Sequence, residues 1–471
     1  MKRVCLINPP SPDFLDFKEK IVPISLIYLG SVLKENNVEI RILDINNDLI
    51  TLGKTNNLSV EEYLNHFTED LEKFDPDLIG ITVLFSGRFK KAIKITQKLK
   101  KDLTKDVPII FGGIHPTIFP KEILENYPEV DYVCIGEGET TLLDLVNGRN
   151  PEKIDGLASR LNGKIHVNPK TRFIEDLDSL PLLDYGLINL KDYYFDTSKW
   201  DNPKNLSLNN PVPILTSRSC PQNCTFCSMH LVHGRGWRAR SAKNVADELE
   251  TLVKEYDHHF FTFIDDNMTL NKKRTIEICD GIIKRKLDIQ FTTVNGLAIK
   301  SLDREVTEKL IEAGLIRLYV APEHGSPYIR NNCMGKNLSQ ETIYKFFDMI
   351  KDYKDLYVRA FFVVGYPQET KETFKETEDM IVRIRDSLDD VALFNAVPYP
   401  GTKLFDYCKE KNLLLIPTEN LQDMENFSNY NYSDNAFIKP TNMTIEELQE
   451  FRNRCMSLVK RRPKSYDKTF S

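Results

Sequence analysis

Cys220, Cys224 and Cys227 fall within eight residues of one another in "SRSCPQNCTFCSMH", Ser217 to His230. Thiolates at this density ligate a metal, as zinc in a four-ligand tetrahedron or as the irons of an iron-sulfur cluster. His230 lies close enough in sequence to complete a Cys3His zinc set, which would make the loop structural. An iron-sulfur cluster on three thiolates leaves one iron open to a small molecule, and the spacing favours this reading while zinc stays open. The other six cysteines (Cys5, Cys134, Cys279, Cys333, Cys408 and Cys455) are scattered. In runs such as "YVCIG" they read as small buried hydrophobes, and an odd count argues against a disulfide framework.

The elements that position these cysteines follow from hydrophobic periodicity. "VPILTS", "HFFTFID", "DIQFTTVN", "IRLYVAP", "YVRAFFVVG" and "VALFNAVP" are strand-like runs starting at Val212, His259, Asp288, Ile316, Tyr357 and Val391, each followed by a helical pattern. In "SAKNVADELETLVKEY" an apolar face of Val245, Leu249, Leu252 and Val253 follows a Ser241 cap, and Gly314 closes "DREVTEKLIEAGL". Six βα units in succession predict a partial parallel barrel over 212–411, with reactive residues at the carboxyl ends of its strands. The cysteines come directly after the first of these.

An earlier alternation predicts a second sheet. "RVCLIN", "VEIRILDI", "LIGITVLF", "VPIIFGG" and "DYVCIG" read as buried strands separated by helices, hence a doubly wound parallel sheet over 1–148. Its ligand would lie beyond the strand ends, at "NPP", "FSG", "GGIHPT" and "GEGET". Residues 149–211 read as a linker and 412–471 as a cover over the barrel mouth. The cover contains a helix opened by a Thr444 to Glu447 capping box.

CxxxCxxC after the first strand of a six-unit barrel, with Phe226 before the last cysteine, resembles the radical S-adenosylmethionine (SAM) superfamily. The resemblance implies a 4Fe-4S cluster on Cys220, Cys224 and Cys227, whose open iron binds SAM. It implies SAM contacts from Phe226, from Asp265 and Asp266 in "FIDDNMTL", and from Glu323 in "VAPEHGS". "VVGYPQETKETF" and "VPYPGT" are similar to the family's segments after the fifth and sixth strands. Ser219 departs from a common Gly, and Ala321 and His324 depart from a common Gly and Ser. The N-terminal motifs are similar to the cobalamin-binding domain of one radical SAM class. They place cobalamin against Ser86, Gly112, Gly113, His115, Gly136, Glu137, Gly138 and Glu139. The DxHxxG sequence that supplies an axial histidine in many cobalamin proteins is absent, so cobalt ligation by His115 is not expected.

The implied activity is reductive cleavage of SAM to a 5′-deoxyadenosyl radical, run as a cobalamin-dependent methylation of an unactivated carbon. A non-methylating cyclisation, ring contraction or carbon-carbon bond formation on the same cofactors is the alternative. A zinc-stabilised binding protein is a third reading, and it leaves "FIDDNMTL" and "VPYPGT" unused. The partners implied are a small-molecule or peptide substrate and an external one-electron reductant such as flavodoxin or ferredoxin. A net charge of −6 gives no basic field for nucleic acid, and no apolar run approaches the ~20 residues of a membrane span. A cytoplasmic location is therefore expected. "WRARS", with Arg235 just upstream, reads as structural rather than as an anion grip.

Overall fold

The protein is described by a computed structural model over residues 2–10, 21–48, 60–193, 211–416 and 436–459. It divides into two units, residues 1–196 with 230–234 and 417–429, and residues 197–229, 235–416 and 430–471. The first unit is built on β1 (Arg3–Asn8), β2 (Glu39–Asp44), β3 (Leu78–Thr82), β4 (Ile109–Gly112), β5 (Tyr132–Cys134), β6 (Leu157–Leu161) and β7 (Lys164–Val167). Their order is β2-β1-β3-β4-β5-β6-β7, parallel from β2 to β5. Alternate residues of each strand feed separate cores: Cys5, Ile7, Ile79, Ile81, Ile109 and Phe111 on one face, Val4, Leu6, Leu78 and Ile110 on the other. Burial on both faces is why these strands read as continuous apolar runs. The order reverses between β1 and β3, where open parallel sheets form their ligand crevice.

The expected boundary at Gly148 is too early. β6 pairs antiparallel with β5, and β7 with β6, so the sheet runs on through the expected linker. Parallel-strand logic misses this hairpin because its strands, "LASRL" and "KIHV", are short and half polar. The buried Leu177, Tyr185 and Leu190 follow, so the chain to Tyr193 belongs to the folded unit.

The second unit carries β8 (Val212–Ile214), β9 (Ser217–Arg218), β10 (Arg238–Ala239), β11 (Phe260–Phe263), β12 (Gln290–Thr292), β13 (Leu315–Glu323), β14 (Tyr357–Val364) and β15 (Asp390–Asn395). β8 and β11 to β15 form one six-stranded parallel sheet, in sequence order from one edge to the other. The capping signals hold: Ser241 accepts from the Asn244 N–H, and Gly314 (φ +114) follows the helix Arg304–Glu312. A Cβ at Gly314 would meet the Ile289 carbonyl oxygen at 2.3 Å, so the turn needs glycine for space as well as conformation. β9 and β10 make a separate antiparallel pair, unforeseen in the sequence, that closes the loop holding the cysteines.

In the C-terminal extension the helix Ile445–Ser457 has the expected capping box. Phe451 stacks on Phe374 at 4.2 Å between centroids, and the buried Arg452 donates to the Leu393 carbonyl at 3.1 Å. This helix therefore packs on the last βα units of the barrel. The aromatic stretch "ENFSNYNYSDNAF", expected to cover the mouth, lies largely outside the described residues.

Candidate active site

Cys220, Cys224 and Cys227 are half-buried free thiols on the loop between β9 and β10. Two polar networks fix where that loop begins. Asp265, just past β11, takes the Thr216 N–H (3.2 Å), the Thr216 hydroxyl (2.7 Å) and the Ser217 hydroxyl (2.6 Å). Asp266 takes the Ser219 N–H at 3.0 Å. Ser219, the departure from glycine, has φ +71, a left-handed conformation that glycine adopts freely and serine does not. Its irregularity is thus conformational, and Asp266 holds it in place. Asn267 donates to the Cys220 sulfur at 3.6 Å, and its backbone carbonyl accepts from the Trp237 indole.

The far side of the loop docks on a segment overlooked in the sequence, Cys333 to Lys336. Thr225 N–H donates to the Met334 carbonyl (2.9 Å), and its hydroxyl donates to the Cys333 carbonyl (2.9 Å). The Thr225 hydrogen being spent, the Tyr366 hydroxyl donates to Thr225 at 2.8 Å. Gly335 has φ +73, and a Cβ there would stand 2.8 Å from the Asn223 carbonyl oxygen. Phe226 packs against the apolar group that includes Ile329, Met334 and Tyr366.

Glu323 ends β13 with φ +69 where that strand bulges, Ala321 and Pro322 standing opposite the single residue Phe361 between the pairs Val320–Ala360 and Glu323–Phe362. Bulges and positive φ at a non-glycine residue commonly mark functional strand ends. Its carboxylate pairs with Lys336 Nζ at 2.6 Å. Burial works against the Lys336 ammonium, but Glu323 and Cys224 outweigh it and hold its pKa above the usual range. Burial also pushes the Cys224 thiol up to about 12, against the pull of Lys336, and raises Cys227. Neutral buried thiols of this kind are what a metal converts to thiolates.

His324, the other departure, is fully buried. Its Nδ1 accepts from the Ser326 N–H (3.0 Å), so Nε2 carries the hydrogen and donates to Glu369 at 2.5 Å. Glu369 also accepts the backbone N–H groups of Gly365 and Tyr366, the latter at 2.7 Å. "HGS" and "GYPQE" are therefore two halves of one lock between β13 and β14. The arginines of "WRARS" are structural as expected: Arg240 is buried, pairs with Glu248 and donates to the Leu215 carbonyl at 3.1 Å.

No three His, Cys, Asp or Glu side chains among the described residues are gathered as around a single metal ion.

In the first unit the candidate cobalamin residues follow β3, β4 and β5. Gly113 (φ +110) and Gly136 (φ +72) sit in conformations suited to glycine, and a Cβ at 113 would stand 2.7 Å from the Val83 carbonyl oxygen. Gly112 closes β4, Gly138 precedes the helix Glu139–Val146, and Glu139 is buried at its first position. Glu137 is buried, accepts the Ile174 N–H at 3.1 Å and meets His233 Nδ1 at 3.3 Å. His115 is fully buried between Phe89 and Phe119, and its Nδ1 meets the Ser86 hydroxyl at 3.0 Å. Burial drops its pKa to about 3, so the imidazole is a neutral packing element behind the loop. Missed in the sequence was a network at the ends of β1 and β2. Asn8 donates to Asp44 (2.9 Å), Tyr193 to Asp44 (3.1 Å) and Arg88 to Asn8 (2.6 Å).

A parallel barrel with a three-thiol loop after its first strand, in a chain that also carries an open sheet with glycine-rich strand ends, defines an iron-sulfur enzyme with a second cofactor domain. Residues 12–146 match the B12 binding domain and residues 214–381 the Radical SAM superfamily. An uncharacterized methyltransferase of Pyrococcus horikoshii is 32% identical over 430 residues, spanning 88% of this chain and 84% of that protein. Cytidylyl-2-hydroxyethylphosphonate methyltransferase of Streptomyces wedmorensis is 26% identical over 464 residues, spanning 90% and 84%. The solved structure of TsrM from Kitasatospora setae, a radical SAM methyltransferase with cobalamin and a 4Fe-4S cluster bound, superposes with a TM-score of 0.71. It is 15% identical and covers 100% of this chain and 93% of its own. The cobalamin-dependent radical SAM enzyme OxsB gives 0.67 at 21% identity, covering 88% and 55%. The chain belongs to the radical SAM superfamily, enzymes built on a 4Fe-4S cluster and SAM, with a B12 binding domain ahead of the barrel.

Proposed function

We propose that this enzyme is a cobalamin-dependent methyltransferase acting on an unactivated carbon of a small molecule or peptide. The observation that carries the reading is the three-thiol loop at the end of the first barrel strand, docked on both sides. Cys220, Cys224 and Cys227 would hold the 4Fe-4S cluster, which would supply the electron for reductive cleavage of SAM. Asp266 and Glu323, at the ends of β11 and β13, are the carboxylates assigned to SAM. Asp265 is assigned to positioning, since its oxygens are taken up by Thr216 and Ser217 beneath the loop. The strand-end residues Ser86, Gly112, Gly113, Gly136 and Gly138 are assigned to cobalamin. His115, buried and paired with Ser86 through Nδ1, would support their loops.

When bound, these cofactors supply a carbon-centred radical oxidant and a transferable methyl group; the protein supplies orientation, charge and exclusion of water. The electron comes from an external one-electron donor such as flavodoxin or ferredoxin. A second reading has its own support: the anaerobic magnesium-protoporphyrin IX monomethyl ester cyclase of Rubrivivax gelatinosus is 28% identical, with 64% of its length covered. The test is anaerobic turnover with SAM, reductant and cobalamin over a panel of candidate substrates. S-adenosylhomocysteine formed together with 5′-deoxyadenosine is expected. Substrate turnover with 5′-deoxyadenosine alone would replace methylation by the cyclase-type reading, and a colourless protein that takes up no iron would end both.

A further inference from the structure

Lys336 belongs to no motif read from the sequence, yet the fold brings it to the cysteine loop. Its segment is pressed against that loop: besides the Gly335 approach to Asn223, the Cβ position of residue 335 lies 3.9 Å from Cys224 Cα. The Lys336 N–H is anchored on the Arg330 carbonyl at 3.0 Å, and its ammonium is held on Glu323. The Glu323 side chain is 8% exposed and that of Lys336 21%, so the pair is only partly screened by water. The same thiols lie in the negative fields of Glu323 and Asp266, which makes a cation here electrostatically consequential.

We propose that the Lys336–Glu323 pair sets the reduction potential of the cluster, Lys336 raising it and Glu323 lowering it. Taking one electron from the external donor adds one negative charge to the cluster. The Lys336 ammonium, whose charge acts on Cys224 from the adjoining segment, stabilises that reduced form, and the Glu323 carboxylate opposes it. The inference rests on the assignment of the cluster to Cys220, Cys224 and Cys227. It gives Lys336 an electrostatic role, separate from any contact with SAM.

The experiment uses the full chain, reconstituted anaerobically with iron and sulfide and titrated electrochemically without SAM, the reduced cluster being followed by its EPR signal. Lys336→Met should shift the midpoint to more negative potential, Lys336→Arg should leave it near wild type, and Glu323→Gln should shift it to more positive potential. Iron and sulfide content is measured on each variant, and if Lys336→Met loads poorly the Glu323→Gln shift carries the test. Opposite shifts are a signature that a packing role would not give. Midpoints that stay at the wild-type value in both charge-removing variants, or that move in the same direction, overturn the proposal. A wild-type chain that takes up no cluster overturns the cofactor assignment itself, a failure distinguishable from an unmoved potential in a loaded protein.

Discussion

Ser219 offers the sharpest test of how the cysteine loop is built. It is fully buried, has φ +71 and gives its N–H to Asp266. The left-handed conformation costs an L-residue roughly 1–2 kcal/mol. Glycine avoids that cost but brings about 0.5–1 kcal/mol of extra chain entropy to lose on folding. Ser219→Gly should therefore be neutral to stabilising, by up to ~1 kcal/mol. Ser219→Val keeps the positive φ, adds a branched side chain where nothing is exposed, and should cost about 2 kcal/mol or more. Asp266→Ala leaves a buried N–H without its acceptor and should cost about 1–3 kcal/mol. Urea unfolding of the iron-free chain, followed by Trp237 fluorescence beside this loop, measures all three, and iron uptake should fall in the same order. A Ser219→Val chain as stable as wild type, or a Ser219→Gly chain weaker by more than ~1 kcal/mol, would refute the backbone argument.

Burial pushes the Asp44 carboxyl up to about 6, against its bonds from Asn47, Asn8 and Tyr193. The folded state therefore holds that proton more tightly than the unfolded chain, and stability is lost as pH rises from about 4 through 6. The ionised form costs ~3 kcal/mol at neutral pH. Asp44→Asn, which can keep all three partners, should flatten that limb of the pH-stability curve and gain up to ~3 kcal/mol at pH 7.5; an Asn variant weaker than wild type there would contradict this. Glu369→Gln should destabilise the barrel unit by roughly 2–3 kcal/mol, and a double-mutant cycle with His324→Gln should return a coupling above ~1 kcal/mol. Gly335→Ala should fold, judged by far-UV circular dichroism, yet retain several-fold less iron, because its Cβ would displace Asn223 next to Cys224.

The parts of this enzyme visible in the sequence are those carried by periodicity and by short motifs. Apolar runs such as "RVCLIN" mark strands buried on both faces, and CxxxCxxC identifies the loop without any geometry. What stayed hidden depends on contacts across long sequence separations. Lys336 reaches Glu323 through a segment with no strand or metal signature. Glu369 looks like an ordinary helix-start residue until β13 brings His324 to it. The hairpin of β6 and β7 was lost because its strands are too short and polar for the alternation seen elsewhere. Ser219 was visible as an anomaly, but only the backbone angle explains it.

The carboxylates at the barrel's strand ends differ in what a ligand would have to displace. Asp265 and Glu369 each hold backbone N–H groups inside the fold, Asp265 at Thr216 and Glu369 at Gly365 and Tyr366. Drawing either toward a ligand leaves two or more buried donors unmet, at about 1–3 kcal/mol each. Glu323 instead holds the end of a long lysine side chain, which can turn away without leaving a backbone donor unmet. Among these three, then, the carboxylate able to exchange its partner for a bound molecule is the one on the bulged, positive-φ strand end. The other two serve the loops that keep the cysteines in place. Asp265→Asn should accordingly lower stability and cluster retention together, whereas Glu323→Gln should keep both and weaken SAM binding by equilibrium dialysis. The reverse pattern would exchange their roles.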